Sequence, residues 1–150
     1  MALSVAELKA LEGQLLGVSD WTLVDQPLID RFAEVTRDFQ FIHVDEARAK
    51  ATPLGGTIAH GMLTLSLLPG MAEGVIPPLV GGRMTINYGF NRVRFLNPVR
   101  SGKQVRGRFT LRAVDDSQAG RVMVTFDATV EIEGEDKPAL VAEWVGLTIL

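Results

Sequence analysis

From Ala51 to Ala72 the chain carries no Asp, Glu, Lys or Arg, and over residues 58–72 it is apolar on nearly every side. A helix without a polar face is buried on all sides. This segment therefore predicts a central core helix, not a surface one. It does not read as a membrane span. Pro53, Gly55, Gly56, His60, Gly61, Pro69 and Gly70 interrupt it, and a span needs about 20 consecutive apolar residues.

The second half of the chain is patterned to lie against such a helix. Val122, Val124, Phe126, Ala128, Val130 and Ile132 alternate with Thr125, Asp127, Thr129, Glu131 and Glu133, the period of a half-exposed strand. Val105, Phe109, Leu111 and Ala113 alternate with Arg106, Arg108, Thr110 and Arg112 in another. Asp115–Gly120 and Glu133–Asp136 predict the hairpin loops. Residues 139–149 are apolar at both parities, as a more central strand is. Between residues 84 and 95 the parity slips, from Met84, Ile86, Tyr88 and Phe90 to Val93 and Phe95. That slip predicts a bulge or bend near Gly89.

The first half is mainly helical. Ser4 and Glu7 have capping-box spacing, which predicts a short helix over about 4–13. Residues about 17–24 suit a strand. Asp25-Gln26-Pro27 supplies an acidic cap and a first-turn proline for a helix running to about Thr36. A further short helix spans Asp45 to Ala51, with Asp45 as its cap. Trp21 and Trp144 read as core. The sum is one α+β domain over residues 1–150, an antiparallel sheet with a buried helix lying across it.

Composition narrows the function. With 47% hydrophobic and 22% charged residues the chain is not disordered. A net charge of −3 leaves no general basic face for nucleic acid. The lack of cysteine removes disulfides, a thiol nucleophile and thiolate zinc sites, and it fits a cytoplasmic location. Glu7 and Glu12 lie where a signal peptide is apolar. Nucleophile-elbow, phosphate-loop and dinucleotide fingerprints are missing. With only two histidines, no metal site is expected.

Those histidines, His43 and His60, flank the least regular stretch of backbone. Asp38 lies just past a predicted helix end, five residues before His43. A carboxylate and an imidazole on one loop can converge on a single water, and the imidazole exchanges protons near neutral pH. The same spacing also suits a capping aspartate and a hydrogen-bonded loop histidine. His60-Gly61 sits near the start of the buried helix, where N–H groups lack intrahelical partners. A glycine there admits a carbonyl close to the backbone, as an oxyanion site requires. Equally, Gly61 serves close packing and His60 satisfies a buried polar group.

Asp38-Phe39-Gln40-Phe41-Ile42-His43-Val44-Asp45, followed by Gly55-Gly56-Thr57-Ile58-Ala59-His60-Gly61-Met62, resembles the MaoC-like hydratase/dehydratase family, which includes the (R)-specific enoyl-CoA hydratases. The closer likeness is to its NodN-like branch, which carries Gln two residues after the Asp. Asn87–Phe95 and Pro98-Val99 resemble that branch as well. The resemblance runs from about Trp21 to the C-terminus. It implies a hot-dog fold, an antiparallel sheet wrapped around a long helix, usually as a homodimer. It implies Asp38 and His43 as the catalytic pair and the Gly61 N–H as oxyanion donor, with Gln40 and His60 in support. The implied reaction is reversible syn hydration of a trans-2-enoyl thioester to an (R)-3-hydroxyacyl thioester, as in fatty acid metabolism. No cofactor is implied, because coenzyme A or an acyl carrier protein enters as part of the substrate. Arg92 and Arg94 share a strand parity and are candidates for the coenzyme A phosphates. Alternatives are a hot-dog acyl-CoA thioesterase and a non-catalytic acyl-thioester-binding module. The chain departs from the common Gly-Asp-x-Asn-Pro-Leu/Ile-His pattern at Arg37, Gln40 and Phe41. Where some relatives carry a serine bordering the acyl pocket, it has Pro69.

Overall fold

The computed structural model describes residues 1–150. In chain order the elements begin with α1 (Val5–Lys9), β1 (Leu15–Val18), β2 (Thr22–Val24) and α2 (Gln26–Thr36). Four short helices follow, α3 (Phe41–Val44), α4 (Glu46–Lys50), α5 (Gly61–Ser66) and α6 (Leu68–Ala72). The rest is sheet: β3 (Met84–Phe95), β4 (Lys103–Asp115), β5 (Arg121–Ile132) and β6 (Leu140–Ile149). Every pairing is antiparallel, in the order β1-β4-β5-β6-β3, with β2 beside β1 on β4.

Local chemistry places the helix starts. Ser4 and Glu7 form both bonds of a capping box at α1, which ends at Lys9. Asp25 accepts from the Leu28 N–H at 3.1 Å to open α2, and Asp45 caps α4 through the Arg48 N–H at 3.0 Å. The single strand expected over 17–24 is two strands. β1 pairs near Thr110 and β2 near Val105. Between them Ser19 keeps the chain tied to Gly107 by a backbone bond of 2.8 Å and a side-chain bond of 2.9 Å.

The alternating faces sort as the pattern requires as far as Leu111; a bulge between Leu111 and Ala113 then turns Ala113, expected in the core, outward and buries Val114 instead. Val105, Phe109 and Leu111 of β4 and the six apolar residues that alternate along β5 from Val122 to Ile132 are buried. They join Leu63, Leu65, Leu68 and Met71 in one core. Gly107 permits the close approach of α6, since a Cβ there would lie 2.7 Å from the Phe109 ring and 3.1 Å from Met71 Cβ. On the outer face Arg106 and Arg108 each reach Glu131 at 2.7 Å. Trp21 belongs to this exterior and not to the core: β2 lies at the sheet margin, and the Trp21 ring carries the Arg106 guanidinium 4.4 Å above it.

The core helix starts at Gly61 and is divided at Leu67. Pro69 has no N–H to donate back toward Leu65, which breaks the ladder there. Met62, Ser66 and Gly70 form an exposed stripe at four-residue spacing, so the helix is not buried on every side. The slip at Gly89 is a bulge in β3 between Asn87 and Gly89, and a second bulge follows between Phe90 and Arg92. The arrangement, an antiparallel sheet curled about a central helix, is a hot-dog fold. No helix is long and apolar enough to cross a membrane.

Candidate active site

Asp38 owes its position to a left-handed residue. Arg37 closes α2 at φ 61°, ψ 20°, a conformation that glycine adopts freely and other L-residues adopt at a cost. This is the position where the common family pattern has glycine. Arg37→Gly is expected to raise stability by about 0.5–1 kcal/mol, the relief of strain less the added chain entropy. Urea unfolding measures it, and no gain would show that the Arg37 side chain offsets the strain.

The turn then delivers Asp38 to α3. Asp38 Oδ1 accepts from the Gln40 N–H at 3.3 Å, and the Gln40 carbonyl accepts from the His43 N–H at 2.9 Å. The Gln40 side chain is exposed and caps nothing. Gln40 thus shapes the loop through its backbone, and its side-chain amide makes no hydrogen bond within the chain.

His43 is buried and fixed from two directions. Its Nδ1 lies 2.7 Å from the Ile58 carbonyl. A carbonyl only accepts, so Nδ1 carries the hydrogen and Nε2 keeps a bare lone pair. The His43 carbonyl accepts from Gln26 Nε2 at 2.7 Å. Gln26 Oε1 in turn faces the Thr57 hydroxyl at 2.6 Å, which also faces Glu46 Oε2 at 2.9 Å. The Thr57 N–H and hydroxyl hold the Glu46 carboxyl below its usual range. Ile58 is clamped as well, by Ile42 and by a bridge to Arg100. Gln26, Glu46 and Thr57 have no signature in the sequence as site residues, because their partners lie 11–31 positions away.

His60 completes the cluster. It is 2% exposed, and its Nε2 donates to the Asp38 carbonyl at 3.0 Å. Its ring stacks on His43 at 3.8 Å and 24°, with Phe32 tilted against it at 5.0 Å. His60 Nδ1 is buried without a partner. One polar atom each of Asp38, His43 and His60 lies within 4.8 Å of the others. A metal ion held at about 2.1 Å by both imidazoles would have to lie in both ring planes. Stacked rings put their lone pairs in nearly parallel planes, so the group suits a small hydrogen-bonding molecule better than a cation.

Burial lowers the His43 pKa below its ordinary 6.5, helped by the neighbouring His60 and opposed by the Ile58 bond and Asp38. Below pH 6.5 the unfolded chain therefore binds a proton that the folded chain refuses, and stability falls with acidification. Above 6.5 this contribution is fully present. Urea midpoints across that range are expected to show the slope in the wild type and to lose it in His43→Phe.

Gly61 opens α5 beside His60, and its N–H has no acceptor in the chain. A Cβ there would sit 2.9 Å from the Phe95 ring, so glycine is needed for this approach. Asp38, His43, His60 and Gly61 thus come together. Arg92 and Arg94 do not join them. Both are exposed on β3, at the parity opposite to Phe95, which faces Gly61. Farther along the helix, Pro69 and Ala72 line a cavity of about 410 Å³ closed by Val124, Phe126 and the buried Trp144. Thr85 and Thr148, whose hydroxyls are 3.0 Å apart, stand on its other side.

Residues 8–133 match the family model described as MaoC like domain. The chain is 49% identical to Nodulation protein N of Rhizobium meliloti (strain 1021), over 97% of this chain and 91% of that one. It is 47% identical to 3-hydroxyacyl-thioester dehydratase Z of Mycobacterium tuberculosis, covering 93% of this chain and 92% of the relative. In structure it resembles a monoamine oxidase regulatory protein from Archaeoglobus, with a TM-score of 0.84 at 27% identity over 99% and 95% of the two chains.

Proposed function

The chain belongs to the MaoC-like dehydratase family, and on that premise we propose that it hydrates trans-2-enoyl thioesters reversibly to (R)-3-hydroxyacyl thioesters. The observation that carries the reading is the gathering of Asp38, His43 and His60 within 4.8 Å, beside the free N–H of Gly61.

In the hydration direction, the Gly61 N–H polarises the thioester carbonyl and makes C3 electrophilic. Asp38 and His43 hold a water, and one of them takes its proton as the oxygen attacks C3. The proton returns to C2 from the same side, which makes the addition syn. The acyl chain runs beside α5 and α6 toward the cavity at Pro69 and Trp144. Coenzyme A or an acyl carrier protein carries the thioester. No cofactor takes part. A chain without cysteine suits the cytoplasm, where such thioesters are made.

A homodimer belongs to the same reading. β3 ends the sheet order, and its Met84, Ile86, Tyr88 and Phe90 are 39–64% exposed. A long apolar edge strand left open invites aggregation; a second copy of the chain closes it. Sedimentation is expected to give twice the chain mass, and Ile86→Lys to give the single-chain mass. A wild-type monomer would remove the dimer from the account.

The activity itself is tested by incubating the protein with crotonyl-CoA and longer trans-2-enoyl-CoAs. Loss of the conjugated thioester absorbance without release of free thiol is the expected result. Thiol release would make the protein a thioesterase, and binding without conversion would make it a binding module.

A further inference from the structure

Two separate holds on His43 lead back to one residue, Thr57. The first acts on the ring. His43 Nδ1 donates to the Ile58 carbonyl at 2.7 Å, and Ile58 follows Thr57 directly in the chain. The second acts on the backbone. The last carbonyls of a helix have no partner within it, and the His43 carbonyl, near the end of α3, accepts instead from Gln26 Nε2 at 2.7 Å.

Hydrogen count fixes the Gln26 amide. Its two hydrogens go to the His43 carbonyl and to Asp30 Oδ1 at 2.8 Å, and its Oε1 accepts from the Thr57 hydroxyl at 2.6 Å. A flipped amide would set an oxygen against two acceptors. Thr57 is itself 2% exposed and held on two sides. Its N–H and hydroxyl donate to Glu46 Oε2 at 3.0 and 2.9 Å, and its carbonyl accepts from the Ser101 N–H at 3.0 Å. One side chain therefore ties together α2 through Gln26 and α4 through Glu46, with His43 of α3 between them.

We propose that Thr57 is a positioning residue for His43. Its hydroxyl, through Gln26, sets the backbone of the 41–44 turn, and its peptide, anchored by Glu46, sets the Ile58 carbonyl that holds the ring. The ring then keeps its hydrogen on Nδ1 and its lone pair on Nε2. The inference rests on the hydratase reading for what His43 does to substrate. An imidazole that acts on a water must present the right nitrogen at the right place, and a displacement of about 1 Å costs about a hundredfold in rate.

Two substitutions at position 57 separate the hydroxyl from the packing. Val keeps the branched shape and removes the hydroxyl, whereas Ser keeps the hydroxyl and removes the methyl. Thr57→Val is expected to lower kcat about ten- to a hundredfold with KM within about twofold of wild type, while Thr57→Ser stays within about threefold in kcat. Gln26 is only half-buried, so Gln26→Met reads the same network if Thr57→Val does not fold; a loss of about tenfold in kcat is expected. Thermal unfolding of each variant checks that the fold persists. If Thr57→Ser is as poor as Thr57→Val, the methyl and its packing matter and the proposal falls. Wild-type kcat in folded Thr57→Val or Gln26→Met overturns it equally.

A substrate-free measurement keeps this distinct from the hydratase reading. The chain has only two histidines, so 15N NMR resolves both rings and His43→Gln assigns them. Near neutral pH the wild-type His43 is expected to show a protonated Nδ1 and a bare Nε2. Thr57→Val is expected to show a mixture of the two tautomers, Gln26→Met a smaller shift the same way, and Thr57→Ser the wild-type pattern. An unmixed Nδ1–H tautomer in the folded Thr57→Val and Gln26→Met proteins overturns the positioning role. A mixture in a protein that converts no enoyl thioester upholds the hold on His43 and overturns the hydratase reading alone.

Discussion

Asp38→Asn and His43→Gln are each expected to lower kcat for enoyl thioester hydration by about 10²–10⁴, the range for a positioned acid or base. Asn at position 38 keeps an oxygen for the Gln40 N–H and leaves the backbone carbonyl to which His60 donates. It removes the negative charge and one acceptor. That variant should therefore fold like the wild type and fail only in chemistry. Gln at position 43 loses the 2.7 Å bond to Ile58, so some stability goes with the activity. Because the pair acts on one water, the double variant should be little worse than either single one. Additive losses, with the double variant down by the product of the two, would mean that the residues work at separate steps.

The largest expected stability effect lies in the sheet. Phe109 is fully buried, tilted against Trp144 at 6.2 Å, and its ring lies over Gly107 where α6 approaches. Phe109→Ala should cost about 3–5 kcal/mol, the transfer loss plus the cavity left behind. Against a total of about 5–15 kcal/mol for a domain, that is enough to leave the protein partly unfolded at ambient temperature. Denaturant titration should show a lower midpoint with an unchanged slope. A loss under about 1 kcal/mol would mean that α6 moves in to refill the space.

What could be read in the sequence divides by distance along the chain. Ser4 with Glu7, Asp25 with Leu28, and Asp45 with Arg48 are local bonds, and each was legible from spacing. The alternation in β4 and β5 is local as well, and so is the slip at Gly89. Asp38 and His43 lie on one short loop, so their proximity follows from five residues of chain. The rest depends on residues far apart. Gln26 holds the His43 carbonyl from 17 positions away, and in the sequence it is only a helix start. His60 meets Asp38 across 22 positions. Phe95 meets Gly61 through the path of β3. The break at Leu67 follows from Pro69, a local signal that the unbroken apolar composition masks; the stripe from Met62 to Gly70 leaves no such mark, because it depends on what the helix packs against. Trp21 misled for the same reason. A large ring is usually buried, but β2 places this one outside, under Arg106.

The most direct test of the central claim is hydration of crotonyl-CoA in D2O, with the product resolved for configuration at C3 and for deuterium at C2. The account predicts an (R)-3-hydroxyacyl thioester with deuterium and hydroxyl added to the same face, and no such product from Asp38→Asn. An (S) product, an anti addition, or hydration that survives without the Asp38 carboxylate would contradict it.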